Sequence, residues 1–208
     1  MRRCVIFAGA AVNDYAYLKS ILLADDYIIC CDSGLRHAEA LEITPNLIVG
    51  DFDSHPKPKC AVETIVLPCE KDDTDTFFAV KEAVKRGFDE FLLLGVIGGR
   101  LDHTLGNISA LVYLDSLGKT ASAVDDYANF EIISRKSAYV EDSFPYFSIV
   151  NIGDSAQGII IKNAKYPLNG GEMTWEYPYG ISNEVLKGKT AEISLSEGRL
   201  LLIKVRKA

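Results

Sequence analysis

The sequence predicts a chain of two parts, an α/β N-terminal domain with a mostly parallel sheet and an all-β C-terminal sandwich. In the first part, short runs that are apolar throughout alternate with segments of helical periodicity. Such strands are buried on both faces, which is typical of a parallel, Rossmann-like sheet covered by helices. In the second part, short apolar runs are separated by Gly, Asn, Asp and Pro, which is typical of an antiparallel sandwich. We place the boundary after Asp126, with domains over residues 1–126 and 127–208.

The elements of each part follow from these runs and from helix-stop signals. Phe77, Val80 and Val84 recur on one face of a helix that Gly87 is placed to end, and Gly118 closes a second long helix in the same way. In the first part, the predicted strands cover residues 4–8, 27–31, 47–49, 64–67 and 91–94, and the predicted helices cover residues 14–23, 35–41, 74–86 and 101–117. In the second part, the predicted strands cover residues 130–133, 138–140, 147–150, 158–162, 192–195 and 200–205.

The composition argues against several classes of partner. The formal net charge is −7, and an acidic chain lacks the basic surface that supplies most of the affinity for nucleic acid. No apolar stretch approaches the roughly 20 residues of a membrane-spanning helix, so we expect no membrane partner. The five cysteines have no CxxC spacing. That pattern favours buried, reduced thiols in a cytoplasmic protein over a zinc or disulfide framework.

Acidic motifs follow the predicted strands where each strand ends. They are Asp32-Ser33-Gly34, Gly50-Asp51-Phe52-Asp53 and Asp72-Asp73-Thr74-Asp75. Since ligands of open parallel sheets bind at the carboxyl ends of the strands, we expect these side chains to line one rim. Their carboxylates would repel one another unless a cation lies among them, and Asp-x-Asp with a third aspartate is the oxygen environment that Mg²⁺ prefers. His37, His55 and His103 lack zinc-site spacing, and we expect them at the surface or in supporting positions.

A glycine pair precedes the last predicted helix of the first part. Gly98-Gly99 would let backbone N–H groups approach phosphate oxygens, and Arg100 would add a planar guanidinium group. Each motif taken singly has a structural explanation, as a turn, a helix cap or an acidic first helical turn. Together, the acids, the glycine turn and the arginine predict Mg²⁺-nucleotide chemistry.

The chain carries five motifs in a fixed order, namely Asp32-Ser33-Gly34, Gly50-Asp51-Phe52-Asp53-Ser54, Asp72-Asp73-Thr74-Asp75, Gly98-Gly99-Arg100-Leu101-Asp102-His103 and Gly180-Ile181-Ser182-Asn183-Glu184. In order and spacing, over nearly the whole chain, they resemble the thiamine pyrophosphokinase family. The resemblance implies transfer of the pyrophosphoryl group of ATP to the thiamine hydroxyl, which gives thiamine diphosphate and AMP. It also implies Mg²⁺, an N-terminal ATP-binding catalytic domain and a C-terminal domain for thiamine binding and dimerisation. The implied homodimer shares its active sites between subunits.

The family's site residues carry over to positions that match its motifs. The implied metal ligands are Asp51, Asp53 and Asp75. The implied ATP-contacting residues are Asp32, Lys71, Thr74, Arg100 and Asp102. The three metal ligands, with Arg100 and Asp102, form the implied catalytic set, in which Asp75 or Asp102 could accept the proton of the thiamine hydroxyl. The implied thiamine contacts are Ser182, Asn183 and an apolar wall near Tyr166-Pro167-Leu168, where Leu168 is the expected contact.

Two other functions compete with this interpretation. A Mg²⁺-dependent phosphohydrolase would use Asp51 or Asp53 as a nucleophile, but it gives no role to the late motif or to the β part. A nucleotide-binding module without catalysis would bind ATP and leave it intact. Release of AMP that depends strictly on thiamine would favour the pyrophosphokinase over both.

Overall fold

The computed structural model describes residues 2–52 and 61–207. The chain folds into two compact units, Met1–Asp126 and Tyr127–Ala208. Among the described residues, no helix is long and apolar enough to cross a membrane. Cys4, Cys30 and Cys31 are buried free thiols and Cys69 is an exposed one, whereas Cys60 lies outside the described residues.

The first unit is a parallel sheet with helices packed against it. Its strands are β1 (Arg3–Phe7), β2 (Tyr27–Cys31), β3 (Leu47–Gly50), β4 (Glu63–Val66), β5 (Glu90–Leu94) and β6 (Thr120–Val124), and its helices are α1 (Tyr15–Ile21), α2 (Leu35–Ala40), α3 (Asp75–Lys85) and α4 (Leu101–Ser116). Across the sheet the strands run in the order β4-β3-β2-β1-β5-β6, with parallel pairing throughout. The predicted α/β class with a mostly parallel sheet is therefore confirmed.

The strands of this sheet carry apolar side chains on both faces, and both faces are buried. Val5 and Phe7 of β1 pack with Leu18 of α1 and Ala38 of α2 in one core cluster. Cys4 and Ile6, whose side chains point to the opposite face, are just as completely buried. Helix α3 lies against β1, β2 and β3. A strand that is buried on both faces needs no polar alternation, and this is the pattern seen in the sequence.

The second unit is an antiparallel sandwich. One layer has the strand order β7 (Ala128–Ile133), β13 (Leu200–Val205) and β9 (Tyr146–Asn151), and the other has the order β11 (Leu168–Thr174), β10 (Ser155–Lys162), β12 (Thr190–Ser194) and β8 (Ala138–Glu141). Alternate residues of both layers share one core, for example Phe147 and Ile149 of β9 with Ile159 and Ile161 of β10. The predicted all-β class is confirmed.

Two strands were absent from the sequence-based assignment. Strand β6 has the composition Thr-Ala-Ser-Ala-Val and pairs with β5, and β11 contains the adjacent Gly170 and Gly171 and pairs with β10 through register irregularities. Small residues and glycines have weak strand propensity, so these two strands depend on pairing with their neighbours. The other strands and the helices begin and end within a few residues of their predicted bounds.

Candidate functional site

A pocket of about 480 Å³ opens at the carboxyl edge of the parallel sheet. Its walls are the loops that follow β1, β2 and β5, together with the first turns of α3 and α4. The lining residues are 8–11, 31–33, 74–76, 95–96, 98–100, 103–104 and 107. Predicted site residues Asp32, Thr74, Asp75 and Arg100 all belong to this lining. The structure thus brings together side chains that are up to 68 positions apart in sequence, as Asp32 and Arg100 are (100 minus 32).

The residues of the acidic run before α3 have different structural roles. Thr74 is the N-cap of the helix, and its hydroxyl oxygen accepts a hydrogen bond from the backbone N–H of Phe77 at 3.2 Å. Asp73 forms an ion pair with Lys81 on the outside of the helix. Asp75, in the first helical turn, is the aspartate of this run that lines the pocket. Thr74 therefore caps the helix, as the structural explanation of this motif predicts. Asp75 takes no part in that cap, and it lines the pocket.

Lys71 joins two of the predicted metal ligands. Its ammonium nitrogen lies 2.6 Å from Asp51 Oδ2 and 2.9 Å from Asp75 Oδ1. The second contact is an ion pair to a buried carboxylate oxygen. Burial acts to lower the pKa of Lys71, but the two carboxylates outweigh it and raise that pKa overall. The ammonium group therefore stays charged.

For Asp75, burial has a larger effect on the pKa than the neighbouring ammonium group of Lys71 has. Burial raises the pKa of its carboxyl group above the ordinary value, and the nearby charges of Asp51 and Asp32 act in the same direction, against the attraction of Lys71. Two carboxylates thus contact one positive side chain, and the charge of a third, on Asp32, acts on Asp75. A further cation would stabilise this excess of negative charge.

Asp32 adds two signs of a ligand-binding position. Its backbone has φ of +42°, in the left-handed region that non-glycine residues rarely occupy. Its Oδ1 atom is buried and has no hydrogen-bond partner among the described residues. Gly50 makes room for this conformation, since a Cβ atom there would lie 3.3 Å from the Cα of Asp32. A strained backbone and an unsatisfied carboxylate oxygen on one pocket residue point to a bound partner.

These residues fit a hard divalent cation of the Mg²⁺ type. The donors are carboxylate oxygens, and the buried Oδ1 of Asp32 has no hydrogen-bond partner among the described residues. Within residues 2–52 and 61–207, no three acidic, His or Cys side chains stand at coordinating distance of one point. Asp53, the third predicted ligand, lies outside the described residues, as does His55. Mg²⁺ is commonly held by one or two protein carboxylates together with substrate phosphates. The carboxylates of the described residues are therefore enough to supply the protein ligands of such an ion.

The glycine turn after β5 is fixed by side chains of α4. Thr104 Oγ1 both accepts from the backbone N–H of Gly98 and donates to its carbonyl oxygen, each at 3.1 Å. Asn107 is buried, and its Nδ2 donates to the carbonyl oxygen of Val96 at 2.7 Å. At the N-cap position Arg100 makes no side-chain capping hydrogen bond. The first N–H groups of a helix that lacks such a cap are well placed for an anion.

Arg100 and Asp102 are paired at the start of α4. Arg100 Nε donates to Asp102 Oδ1 at 3.2 Å, and a second hydrogen bond joins Arg100 Nη2 to Asp102 Oδ2. Both side chains are exposed, and of the two only Arg100 belongs to the described pocket lining. The hydrogen bonds from Arg100 lower the pKa of Asp102 to about 2. A carboxylate of such low pKa is a weak base.

Sequence reasoning missed the wall formed by residues 8–11. Arg36 Nη2 donates to the carbonyl oxygen of Gly9, and His37 Nε2 donates to that of Ala10 at 2.9 Å. The other ring nitrogen of His37, Nδ1, accepts from the Tyr15 hydroxyl at 2.8 Å. His37 is buried in this supporting position, whereas His103 lines the pocket and is exposed. The wall itself is Ala-Gly-Ala-Ala, so its sequence carries no chemical signal.

The late motif belongs to the second unit, which is described by itself. Asn183 is buried, and its amide binds the backbone of Tyr166 on both sides: Oδ1 accepts from Tyr166 N–H at 3.1 Å and Nδ2 donates to its carbonyl oxygen at 2.8 Å. Ser182 is exposed, with φ of +57°, and Leu168 is partly buried against the sandwich core. Asn183 thus holds Tyr166, whose ring is exposed.

Comparisons with known proteins agree with both units. The family model for the catalytic domain of thiamin pyrophosphokinase matches residues 18–122, and that for its vitamin B1 binding domain matches residues 132–200. Thiamine pyrophosphokinase of Bacillus subtilis (strain 168) is 28% identical over 170 residues, which cover 78% of this chain and 79% of the relative. A crystal structure of thiamine pyrophosphokinase from Bacillus subtilis has a TM-score of 0.89 at 24% identity, with 100% of both chains covered. Thiamin pyrophosphokinase from Candida albicans has a TM-score of 0.77 at 15% identity, covering 98% of this chain and 89% of that one.

Proposed function

The chain belongs to the thiamin pyrophosphokinase family, and we propose that the pocket at the edge of its parallel sheet binds ATP together with Mg²⁺. The enzyme transfers the pyrophosphoryl group of ATP to the hydroxyl group of thiamine, and the products are thiamine diphosphate and AMP. The observation that carries the assignment to this pocket is the buried Oδ1 of Asp32, which has no hydrogen-bond partner among the described residues, together with the Asp75 carboxylate in the same lining and a glycine turn that opens a helix.

Positioning and charge neutralisation are the main requirements of this reaction. The thiamine hydroxyl must lie in line with the β-phosphorus of ATP while negative charge grows on the departing α-phosphate. The N–H groups at the start of α4 and the guanidinium of Arg100 are placed to bind phosphate oxygens at one wall of the pocket. Thr74 and Asp32 contribute further polar groups to the same lining.

Asp51, Asp53 and Asp75 would hold the divalent cation. When bound, the cation neutralises charge on the transferring phosphates. Asp75 lines the pocket, and Lys71 forms ion pairs with both Asp75 and Asp51. The acids also favour approach of the positively charged thiazolium ring of thiamine.

Asp75 is better placed than Asp102 to accept the proton of the thiamine hydroxyl, because Asp75 lines the pocket and Asp102 is outside its described lining. In the absence of metal and nucleotide, Arg100 holds the pKa of Asp102 at about 2, whereas burial raises the pKa of Asp75.

The second unit would bind the thiamine rings. Ser182 and Leu168 remain the proposed contacts, and Asn183 acts by fixing the backbone of Tyr166, whose exposed ring offers a stacking surface. We also propose a homodimer with sites shared between subunits. Exposed apolar side chains on each unit, such as Leu101 and Leu105 on α4 and Trp175 in the sandwich, support an assembly that covers them. The free thiols support our proposal of a reducing compartment, the cytoplasm.

The test of this function is a product assay with the purified chain, ATP, Mg²⁺ and thiamine. We expect AMP and thiamine diphosphate to form in equal amounts and neither to form when thiamine is omitted. Release of inorganic phosphate without thiamine would instead identify a phosphohydrolase. Tight ATP binding with no product under any of these conditions would identify a binding module.

A further inference from the structure

We infer that Lys71 and the divalent cation compete for the same two carboxylates, so that Lys71 is the resident counter-ion of the metal-free enzyme. The inference rests on the proposed function, in which Asp51 and Asp75 are metal ligands. It adds a role for Lys71 that a simple ATP contact does not require. Metal binding must displace the ammonium group, and that displacement couples the cation to the nucleotide.

The Lys71 ammonium group already occupies the position between the two carboxylates. The Lys71 nitrogen lies within 3 Å of an oxygen of each carboxylate, at 2.6 Å from Asp51 and 2.9 Å from Asp75. An ion that both aspartates coordinate would lie in the same space. The three side chains are also withdrawn from solvent, with exposed fractions of 16% for Lys71, 15% for Asp51 and 20% for Asp75. Water therefore screens little of the repulsion between two neighbouring positive charges.

The Lys71 side chain can move away from the two carboxylates because of its position in the chain. It precedes the N-cap Thr74, so its backbone belongs to the loop before α3 and not to the helix. A lysine side chain is a flexible four-carbon stem that carries a compact charge. Asp75, at the first position of α3, lines the pocket in which we place ATP. Displaced from Asp75, the ammonium group therefore has phosphate oxygens within reach as its next partner.

A consequence is positive coupling between metal and nucleotide. Without nucleotide, a cation must replace Lys71 at the carboxylates, and this weakens its apparent affinity. With ATP bound, the phosphates offer Lys71 a new partner and the carboxylates become available. Coupling between two ligands is reciprocal, so the metal strengthens ATP binding by the same factor.

The chain provides a matched control in Lys81. Lys81 lies on α3 and pairs with Asp73, so Lys81→Met removes the same charge ten positions away in sequence (81 minus 71). Its side chain is 46% exposed, and Asp73 is outside the pocket lining. The two variants therefore have equal net charge, and they differ in whether the lost ammonium group bridged Asp51 and Asp75.

The experiment measures Mn²⁺ binding to the nucleotide-free protein, with free Mn²⁺ counted by its electron paramagnetic resonance signal. Mn²⁺ takes the same oxygen ligands as Mg²⁺. We expect Lys71→Met to bind Mn²⁺ about tenfold more tightly than the wild type, a factor typical of coupling between sites, and Lys81→Met to stay within about twofold. Lys71→Gln serves as a second neutral variant if the methionine variant is unfolded by circular dichroism.

Asp75→Asn separates failure of this inference from failure of the metal site. If the wild type binds Mn²⁺, Asp75→Asn does not, and both Lys71 variants bind as the wild type does or more weakly, the competition is disproved and the metal site stands. If the wild type itself binds no Mn²⁺, the proposed metal ligands are wrong and the inference falls with them.

Discussion

His37 shows how a residue outside the reaction shapes the pocket. It is buried below the wall formed by residues 8–11, with Nε2 donating to Ala10 and Nδ1 accepting from Tyr15. Burial lowers the pKa of His37 below its ordinary value of about 6.5, with Arg36 acting in the same direction and the hydrogen bond to Ala10 opposing both. The folded protein therefore holds His37 in its neutral form.

The pH dependence of stability follows from that neutral imidazole. As the pH falls below about 6.5, the unfolded chain takes up a proton at His37 before the folded chain does. The stability that His37 provides is thus complete above about pH 6.5 and is lost below it, at no more than about 1.4 kcal/mol per pH unit. We expect His37→Gln to be less stable than the wild type at pH 7.5 but to lose less stability between pH 7 and 5.5, as measured by urea unfolding.

A control variant tests whether the effect is specific to the buried imidazole. His103→Gln removes an exposed imidazole of the same pocket, and we expect its unfolding free energy to follow the wild type across the pH range. If His37→Gln and the wild type lose stability in parallel below pH 6.5, the buried imidazole is not the source of the decline.

At the scale of elements, the turn between β5 and α4 offers a test within one glycine pair. A Cβ atom on Gly98 would lie 2.9 Å from the Cβ of Ala10, whereas a Cβ atom on Gly99 would meet nothing within 4 Å. Gly98→Ala should therefore push two pocket walls apart. We expect about a tenfold rise in the KM for ATP, equivalent to about 1.4 kcal/mol, with only a small change for Gly99→Ala. Equal KM values for the two variants would show that the packing of Gly98 on Ala10 has no part in binding ATP.

The same elements show what the sequence could and could not predict. Strand ends of a parallel sheet meet at one rim, so Asp32, Asp75 and Arg100 could be placed together from strand order alone. Residues 8–11 could not, because alanine and glycine carry no chemical signal and the wall exists only through the contacts of Arg36 and His37. Strands β6 and β11 were missed for a related reason, since pairing with a neighbour outweighs their weak propensity.

At the scale of the whole molecule, the proposed shared sites can be tested by mixing two inactive variants. Asp75→Asn removes a proposed metal ligand of the first unit, and Ser182→Trp blocks the proposed thiamine contact of the second. Refolded together with random pairing, half of the dimers would be mixed, and each would contain one intact site. About a quarter of the wild-type activity should return, which follows from twofold symmetry alone. Isolated mixed dimers, selected with two affinity tags, that remain inactive would contradict shared sites.

The most direct test of the central claim, that Asp75 in the described pocket supports the pyrophosphoryl transfer, compares two neighbouring aspartates. Asp75→Asn and Asp73→Asn remove the same charge two residues apart, but Asp75 lines the pocket and Asp73 pairs with Lys81 outside it. The measurement is the rate of thiamine diphosphate formation from ATP and thiamine at saturating Mg²⁺. We expect Asp75→Asn to lose at least about 100-fold in rate and Asp73→Asn to stay within about threefold of the wild type. A folded Asp75→Asn enzyme with a rate near that of Asp73→Asn would contradict the claim.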